Sequence, residues 1–380
     1  MNKINDKKVP LNSWKENEIQ FSPFGLAVVI GRFQPVHNGH LNLFKKAANL
    51  SENVLILVGS SFIAPDSRNP FTFEERAAMI KAAVSEDTKT NFIIKPIVDD
   101  LYNDNRWLAD IQKSISEALC SWGISSDEKI ALVGHHKDST SYYLDLFPKP
   151  KYNFFEVDSE ETISSTDIRR SYFIDNDMGI FTKYFMIRVP NSVTHYLLEW
   201  KKNFPTNYNN IKEEFLFLDN YKKQFSSLIY PPIFVTTDAV VICNGHILLV
   251  KRRSHPGKGL WALPGGFLGK DEKIEDSMVR ELVEETKILK NAGMNLEFVK
   301  KSLKPLLKGI HVFDAPTRSL RGRTITHAGL FILEQTVLPD VVGSDDAEKA
   351  KWFPISDLYS MHCIMFEDHW SIAIHMINKI

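Results

Sequence analysis

Cysteine is scarce in this chain: three among 380 residues, Cys120, Cys243 and Cys363, far apart from one another. Their spacing offers neither a metal-binding pair nor a disulfide framework, which suits a reducing cytoplasm. Long apolar runs are missing too. No stretch approaches the roughly 18 to 20 apolar residues that span a bilayer, so no membrane partner is expected. The opening segment, MNKINDKKVPLNSWKENEIQ, lacks the apolar core of a signal peptide. Charge of one sign is also wanting: 46 Lys and Arg against 47 Asp and Glu leave a net −1. Without a basic excess, no nucleic-acid partner is expected. These absences predict a soluble cytoplasmic protein and leave homo-oligomer formation open.

What is present divides the chain. Its length suits two domains. Residues 1–22 read as a polar tail, 23–190 as a first domain, 191–231 as a helical connection and 232–380 as a second domain. The connection carries Leu197, Leu198, Trp200, Phe215, Leu218 and Tyr221 at helical spacing. Pro231 and Pro232 end it, because proline cannot continue a helix.

The first domain is organised around Gly31 to His40, GRFQPVHNGH. An apolar run, Leu26 to Ile30, precedes this stretch, and Leu41, Leu43, Phe44, Ala47 and Ala48 follow it at helical spacing. The order reads as strand, tight loop, helix, the start of a doubly wound α/β unit. Ligands bind such units at the carboxyl ends of the strands. The helix start offers free N–H groups and the positive end of its dipole, a place for phosphate. His37, His40 and Arg32 add imidazoles and a fixed cation there.

His37-Asn38-Gly39-His40 resembles the HxGH signature of the nucleotidylyltransferase superfamily. The second segment, Ile163-Ser164-Ser165-Thr166-Asp167-Ile168-Arg169, resembles its ISxTxIR motif. The resemblance implies a Rossmann-like fold, with ATP as substrate. It implies that His37 and His40 bind triphosphate and steady the leaving pyrophosphate, with Gly31, Arg32 and Phe33 in the binding loop. It implies further that Ser164, Ser165, Thr166 and Arg169 hold phosphates at a second helix start. Ser165 stands where the family often has glycine.

Ser60 to Arg76, ending in NPFTFEER, resembles the archaeal-type nicotinamide mononucleotide (NMN) adenylyltransferases. Thr72 and Glu75 have the spacing of a helix capping box. Arg76 either ties that helix to a strand or reaches the nucleotide. Trp107 follows the polar run Asp99 to Arg106; it is either a packed helix-start residue or, as the family implies, a platform for nicotinamide. Lys137 and Asp138 match the family's GxxKDxSxYY pattern and imply nucleotide contacts. In-line attack by a phosphate needs no general base, only positioning and charge neutralisation. Mg²⁺ is implied as the accompanying ion.

In the second domain, Val235 to Ile242 and His246 to Arg252 read as two strands around the Asn244-Gly245 hairpin turn. Glu281, Glu284 and Glu285 lie at i, i+3 and i+4, on one helical face. Three neighbouring carboxylates repel unless a cation sits among them, and hard oxygen donors suit Mg²⁺ or Mn²⁺. Such ions polarise a diphosphate and activate water.

Gly266, Glu272, Arg280-Glu281-Leu282-Val283-Glu284-Glu285 and Ile288 resemble the Nudix box, Gx5Ex7REUxEExGU. That likeness implies an α/β/α Nudix domain with Glu281, Glu284 and Glu285 as metal-binding catalytic residues. Gly266, Glu272 and Arg280 would support them. Lys287 replaces the box's last glycine, where a left-handed residue costs roughly 1 kcal/mol. Phe313 to Arg323 resembles the FDxPxRxxRGR segment of ADP-ribose-specific Nudix domains, with Arg318, Arg321 and Arg323 as the implied clamp. Glu348 or a neighbour is the candidate base.

Together these resemblances imply an enzyme making NAD from NMN and ATP in one domain and splitting ADP-ribose in the other. One rival reading gives the first domain another phosphorylated acceptor. A second makes the Nudix domain a nucleotide sensor.

Overall fold

The computed structural model describes residues 23–135, 146–157, 164–174, 185, 187–289 and 296–379. The tail 1–22, Lys137, Asp138 and Ile163 lie outside the described residues.

Five parallel strands build the first sheet, in the order β3-β2-β1-β4-β5. They are β1 (Leu26–Gly31), β2 (Asn53–Val58), β3 (Asn91–Pro96), β4 (Ile130–Gly134) and β5 (Tyr152–Glu156). Helices α1 (Asn38–Leu50), α2 (Phe73–Ala83) and α3 (Asp104–Ser121) make the crossovers, and α4 (Ser165–Phe173) follows β5. The apolar run in β1 is continuous because both faces are covered. Leu26 and Val28 pack with Ile111 and Ile115 of α3, whereas Ala27 and Val29 pack with Phe44 and Ala47 of α1. Strand order reverses beside β1, which has β2 on one side and β4 on the other. A ligand crevice belongs at such a point.

Helices α5 (Asn191–Asn203) and α6 (Pro205–Lys223) occupy the expected connection. They do more than connect, since Val193, Leu197, Trp200, Tyr208 and Ile211 are buried in the core beneath α1 and α2. The Trp200 indole donates to Glu75.

The second sheet is mixed, with order β10-β11-β6-β7-β12 and two short strands, β8 and β9, beside β7 and β6. Its strands are β6 (Phe234–Cys243), β7 (His246–Arg252), β8 (Trp261–Ala262), β9 (Gly265–Phe267), β10 (Leu307–Phe313), β11 (Thr324–Leu333) and β12 (Ala347–Pro354). Asn244 and Gly245 both have positive φ, 45° and 72°, so the foreseen hairpin turn forms. Period-two alternation in β6 sends Ala239 and Val241 to α7 (Ile274–Thr286), which presents Met278, Val279 and Leu282. Val240 and Ile242 face the other layer, where Ile372 and Ala373 come from the last helix. Further helices are α8 (Leu296–Leu303), the short α9 (Ile355–Leu358) and α10 (His369–Ile377). Among the described residues no helix is long and apolar enough to cross a membrane.

Candidate active sites

The GRFQPVHNGH loop leaves β1 and enters α1 at His37. Phe33 has φ 53° and is 1 % exposed, so it is a buried residue in a left-handed conformation. Its ring lies over Gly31, where a Cβ would come within 2.8 Å of it, so Gly31 makes room for Phe33. The same ring meets His40 edge-on, with centroids 5.0 Å apart. Phe33, expected in the substrate-binding loop, therefore shapes that loop and supports His40 with its ring turned into the protein. The His37 and His40 rings stack at 3.7 Å, and His40 Nδ1 accepts from the His37 N–H at 3.3 Å. Both imidazoles thus stand together at the start of α1.

The second segment converges on the same loop. Ser164 caps α4 by accepting from the Thr166 N–H at 3.2 Å. Arg169, 5 % exposed, donates to Gln34 O at 2.7 Å, Ser67 O at 3.2 Å and Thr166 Oγ1 at 3.1 Å. Burial and the cation of Arg32 lower its pKa to about 10, opposed by Asp66. Two helix starts, Arg32 and Arg169 thus give one corner of the fold a positive field.

Arg76 takes the structural alternative. It is fully buried, and Nη1 donates to Arg32 O at 2.7 Å and to Gly59 O at 2.6 Å. Nη2 donates to Ser60 O and Ser61 Oγ, and Nε to Thr72 O. All five donors of the guanidinium are used inside the protein, so the nucleotide-binding expectation for Arg76 is corrected. Thr72 and Glu75 form the foreseen capping box of α2.

Trp107 sits in the first turn of α3, whose N-cap is Asn103. It packs against the core beside α3, as the first of its two expected roles requires, and it also lines a cavity of about 580 Å³. Arg32, Gly59 and Ser60 line the same cavity, and Arg318 and Trp370 close it from the second domain. Asp99 fixes the Ser60 turn, accepting its N–H at 2.9 Å and its hydroxyl.

In the second domain Arg280 organises the acidic helix. Nε and Nη2 grip Glu272 at 2.6 and 3.0 Å, while Nη1 reaches Glu281 at 2.8 Å and Glu284 at 3.0 Å. This bonding holds Glu272 below the usual carboxylate range. Glu285, 6 % exposed, accepts the Gly265 N–H at 3.0 Å; burial, aided by Glu281, pushes it up to about 8. Burial raises Glu281 as well. Among the described residues no three acidic or imidazole side chains form a ready-made cation cage. The expected mutual repulsion is relieved here by the Arg280 guanidinium, which draws Glu281 and Glu284 toward itself. The donor chemistry nonetheless fits a hard divalent ion, because a buried carboxylate that resists ionisation is one a cation stabilises. Gly266 is necessary here: a Cβ would lie 2.5 Å from Glu281 Oε1.

Lys287 does adopt the left-handed conformation, with φ 50° and ψ 22°, and its ammonium donates to Glu284 O at 3.0 Å. The turn of the box is kept with a strained residue. Ser344 donates its N–H to Glu285 O, which brings Asp345 beside the acidic helix and near Glu281. Glu348 points elsewhere, pairing with Lys251 at 3.5 Å.

The three arginines do not form one clamp, and that expectation is corrected. Arg318 is 5 % exposed and grips Asp368 at 2.8 and 2.9 Å. Arg323 turns back to Asp314. Arg321 alone approaches the Nudix motif, its guanidinium 4.8 Å from the Phe267 ring centre. Sequence reasoning missed Asp99, Tyr102, Glu214 and Asp368. Their partners lie up to 266 residues away, as for Tyr102 and Asp368, and single residues carry no local signal for that.

These features define a nucleotidyl-transfer domain joined to a Nudix domain. Residues 28–171 match the Cytidylyltransferase-like family, and residues 234–376 match the NUDIX domain family. A nicotinamide/nicotinic acid mononucleotide adenylyltransferase of Acinetobacter baylyi is 36 % identical over 151 residues, covering 40 % of this chain and 76 % of that protein. An ADP-ribose pyrophosphatase of Methanocaldococcus jannaschii is 32 % identical over 136 residues, 36 % of this chain and 69 % of that one. The crystal structure of a bifunctional NMN adenylyltransferase/ADP ribose pyrophosphatase from Francisella tularensis, complexed with AMP and a manganese ion, spans both. It matches with 33 % identity and TM-score 0.80, covering 94 % of this chain and 99 % of that one. The chain belongs to the family of bifunctional NMN adenylyltransferase/ADP-ribose pyrophosphatases.

Proposed function

We propose that the chain carries both activities of its family and that the two charged corners are their active sites. One observation carries the reading most: a single solved bifunctional enzyme matches 94 % of this chain. In the first domain the NMN phosphate attacks the α-phosphorus of ATP, giving NAD and pyrophosphate. His37, His40, Arg32 and Arg169 neutralise the charge that develops on the leaving group. Ser164, Ser165 and Thr166 offer the α4 start to phosphate, and Trp107 is the platform for nicotinamide. Lys137 and Asp138 remain candidates for nucleotide contacts.

In the second domain ADP-ribose is split into AMP and ribose 5-phosphate. Glu281, Glu284 and Glu285 hold Mg²⁺ or Mn²⁺, which supplies Lewis acidity and an activated water. Arg280 releases Glu281 and Glu284 to the ion while Glu272 keeps the guanidinium in place. Arg321 is placed to contact substrate. Small nucleotides are the partners, and the cytoplasm is the compartment where they meet the enzyme. We place the domains at 23–190 and 232–380, with 1–22 as a tail and 191–231 as a connection whose helices complete the first domain's core.

Full-length protein incubated with Mg²⁺ and ADP-ribose should release AMP, and with NMN and ATP should form NAD. Chromatography follows both. Glu285→Gln should lower AMP release alone, by about 10² to 10³-fold. An unaltered rate in that variant overturns the metal-site assignment, and a lack of turnover with either ion leaves the second domain a sensor.

A further inference from the structure

The cavity beside Trp107 has walls from both domains, and its volume suits a small nucleotide. Its first-domain wall includes Arg32, Ser60 and Trp107; its second-domain wall includes Arg318, Asp368 and Trp370. The segment that delivers Trp107 runs from the end of β3 into α3, and it is anchored twice. At Asp99 it is held to the Ser60 turn of its own domain. At Tyr102, five positions before Trp107, it is held to the other domain. The Tyr102 hydroxyl donates to Asp368 Oδ2 at 2.5 Å. Its ring meets Phe313 edge-on at 4.9 Å and packs on the second domain's core. Asp368, 3 % exposed, is itself gripped by Arg318 through two hydrogen bonds.

We propose that the Nudix domain completes the mononucleotide pocket of the adenylyltransferase domain, with the Tyr102–Asp368–Arg318 clasp positioning Trp107 for NMN. This rests on the reading of Trp107 as the nicotinamide platform. The clasp is a positioning device: Tyr102 acts through Trp107, and the ATP corner with His37, His40 and Arg169 lies outside it. A loosened clasp therefore weakens NMN binding selectively. Arg318 is a wall and a brace for this pocket, and its two bonds to Asp368 offset the burial of so polar a side chain.

The test compares Tyr102→Phe and Trp107→Ala in the full-length protein, with steady-state kinetics for NMN, ATP and ADP-ribose. Tyr102→Phe keeps the ring packed, and Arg318 still satisfies Asp368, so the fold should survive; a thermal melt within a few degrees of the parent confirms it. A hydrogen bond to a charged group predicts about a tenfold rise in KM for NMN. The KM for ATP, kcat at saturating NMN, and ADP-ribose hydrolysis should stay within about twofold of the parent. If Trp107→Ala raises KM for NMN but Tyr102→Phe does not, the clasp is overturned and the platform stands. If Trp107→Ala leaves KM for NMN unchanged, the platform and the clasp fall together. Equal losses toward NMN and ATP in Tyr102→Phe would mean general loosening and would also overturn the proposal.

Discussion

The two domains meet phosphate with opposite charge. The first offers donors directly: two helix starts, the stacked pair His37 and His40, and Arg169 threaded between the loops. The second offers acceptors, Glu281, Glu284 and Glu285, so an ion of opposite sign must stand between protein and substrate. Burial marks the difference in both. It lowers the pKa of Arg169 to about 10 and raises that of Glu285 to about 8, each time against the charged form. A buried donor cluster can wait for its anion while braced by backbone carbonyls. A buried acceptor cluster needs an internal cation meanwhile, and Arg280 serves.

The comparison breaks most visibly if the two corners are not separate. Arg169→Ala should lower NAD formation by about 10² to 10³-fold and leave AMP release intact, whereas Glu285→Gln should do the reverse on a similar scale. Parallel assays of both activities on both variants decide it. Loss of both activities in either variant would show that the corners act as one.

At the seam the contrast takes another form. Glu214 of α6 is 4 % exposed and accepts the Ser67 N–H at 2.7 Å and the Gly257 N–H at 3.0 Å, one from each domain. Burial, with Asp66 nearby, pushes it from 4.5 up to about 7. The folded state therefore keeps a proton that the unfolded chain gives up at lower pH. The associated stability is full below about pH 4.5 and is lost as pH rises to about 7. Its size is at most about 3 kcal/mol. Glu214→Gln should flatten the melting temperature between pH 5 and 7, read from thermal melts in that window. An unchanged slope would show that other groups set the pH response.

Gly266→Ala sharpens the same contrast on a smaller scale. The added methyl would press on Glu281, so AMP release should fall about tenfold, with NAD formation untouched. Full hydrolysis would mean that Glu281 moves freely, and that its bond to Arg280 holds nothing in place.

Much of this was legible because the informative residues are close in sequence. The strand–loop–helix around His37, the capping box at Thr72 and Glu75, the Asn244-Gly245 turn and the acidic face of α7 all lie within a few turns of chain. Each is a local pattern with a local cause. Arg76 was ambiguous because its partners, Arg32, Gly59 and Ser60, come from other loops. The same holds for Arg318, whose fate depends on Asp368 fifty positions on. An arginine in a motif announces a charge, and only the fold says whether that charge faces a ligand or a buried carboxylate. Phe33 is a related case: its place in the loop was legible, but the positive φ that accompanies its buried ring is not shown by the letters around it.

The smallest effect concerns Lys287, the one departure from the Nudix box. Its positive φ should cost roughly 1 kcal/mol, and glycine would remove that cost. Two things oppose the gain. Glycine has more freedom to lose on folding, and the lysine ammonium now caps Glu284 O at the negative end of α7. The net for Lys287→Gly should be a rise of about 2 °C in the melting temperature, with AMP release unchanged. A fall in melting temperature would show that the ammonium's bond outweighs the strain. A rise in AMP release would carry more weight: it would mean that the cation two positions after Glu285 competes with the metal ion for the acidic face, and that the acceptor corner is held partly neutral by two internal cations.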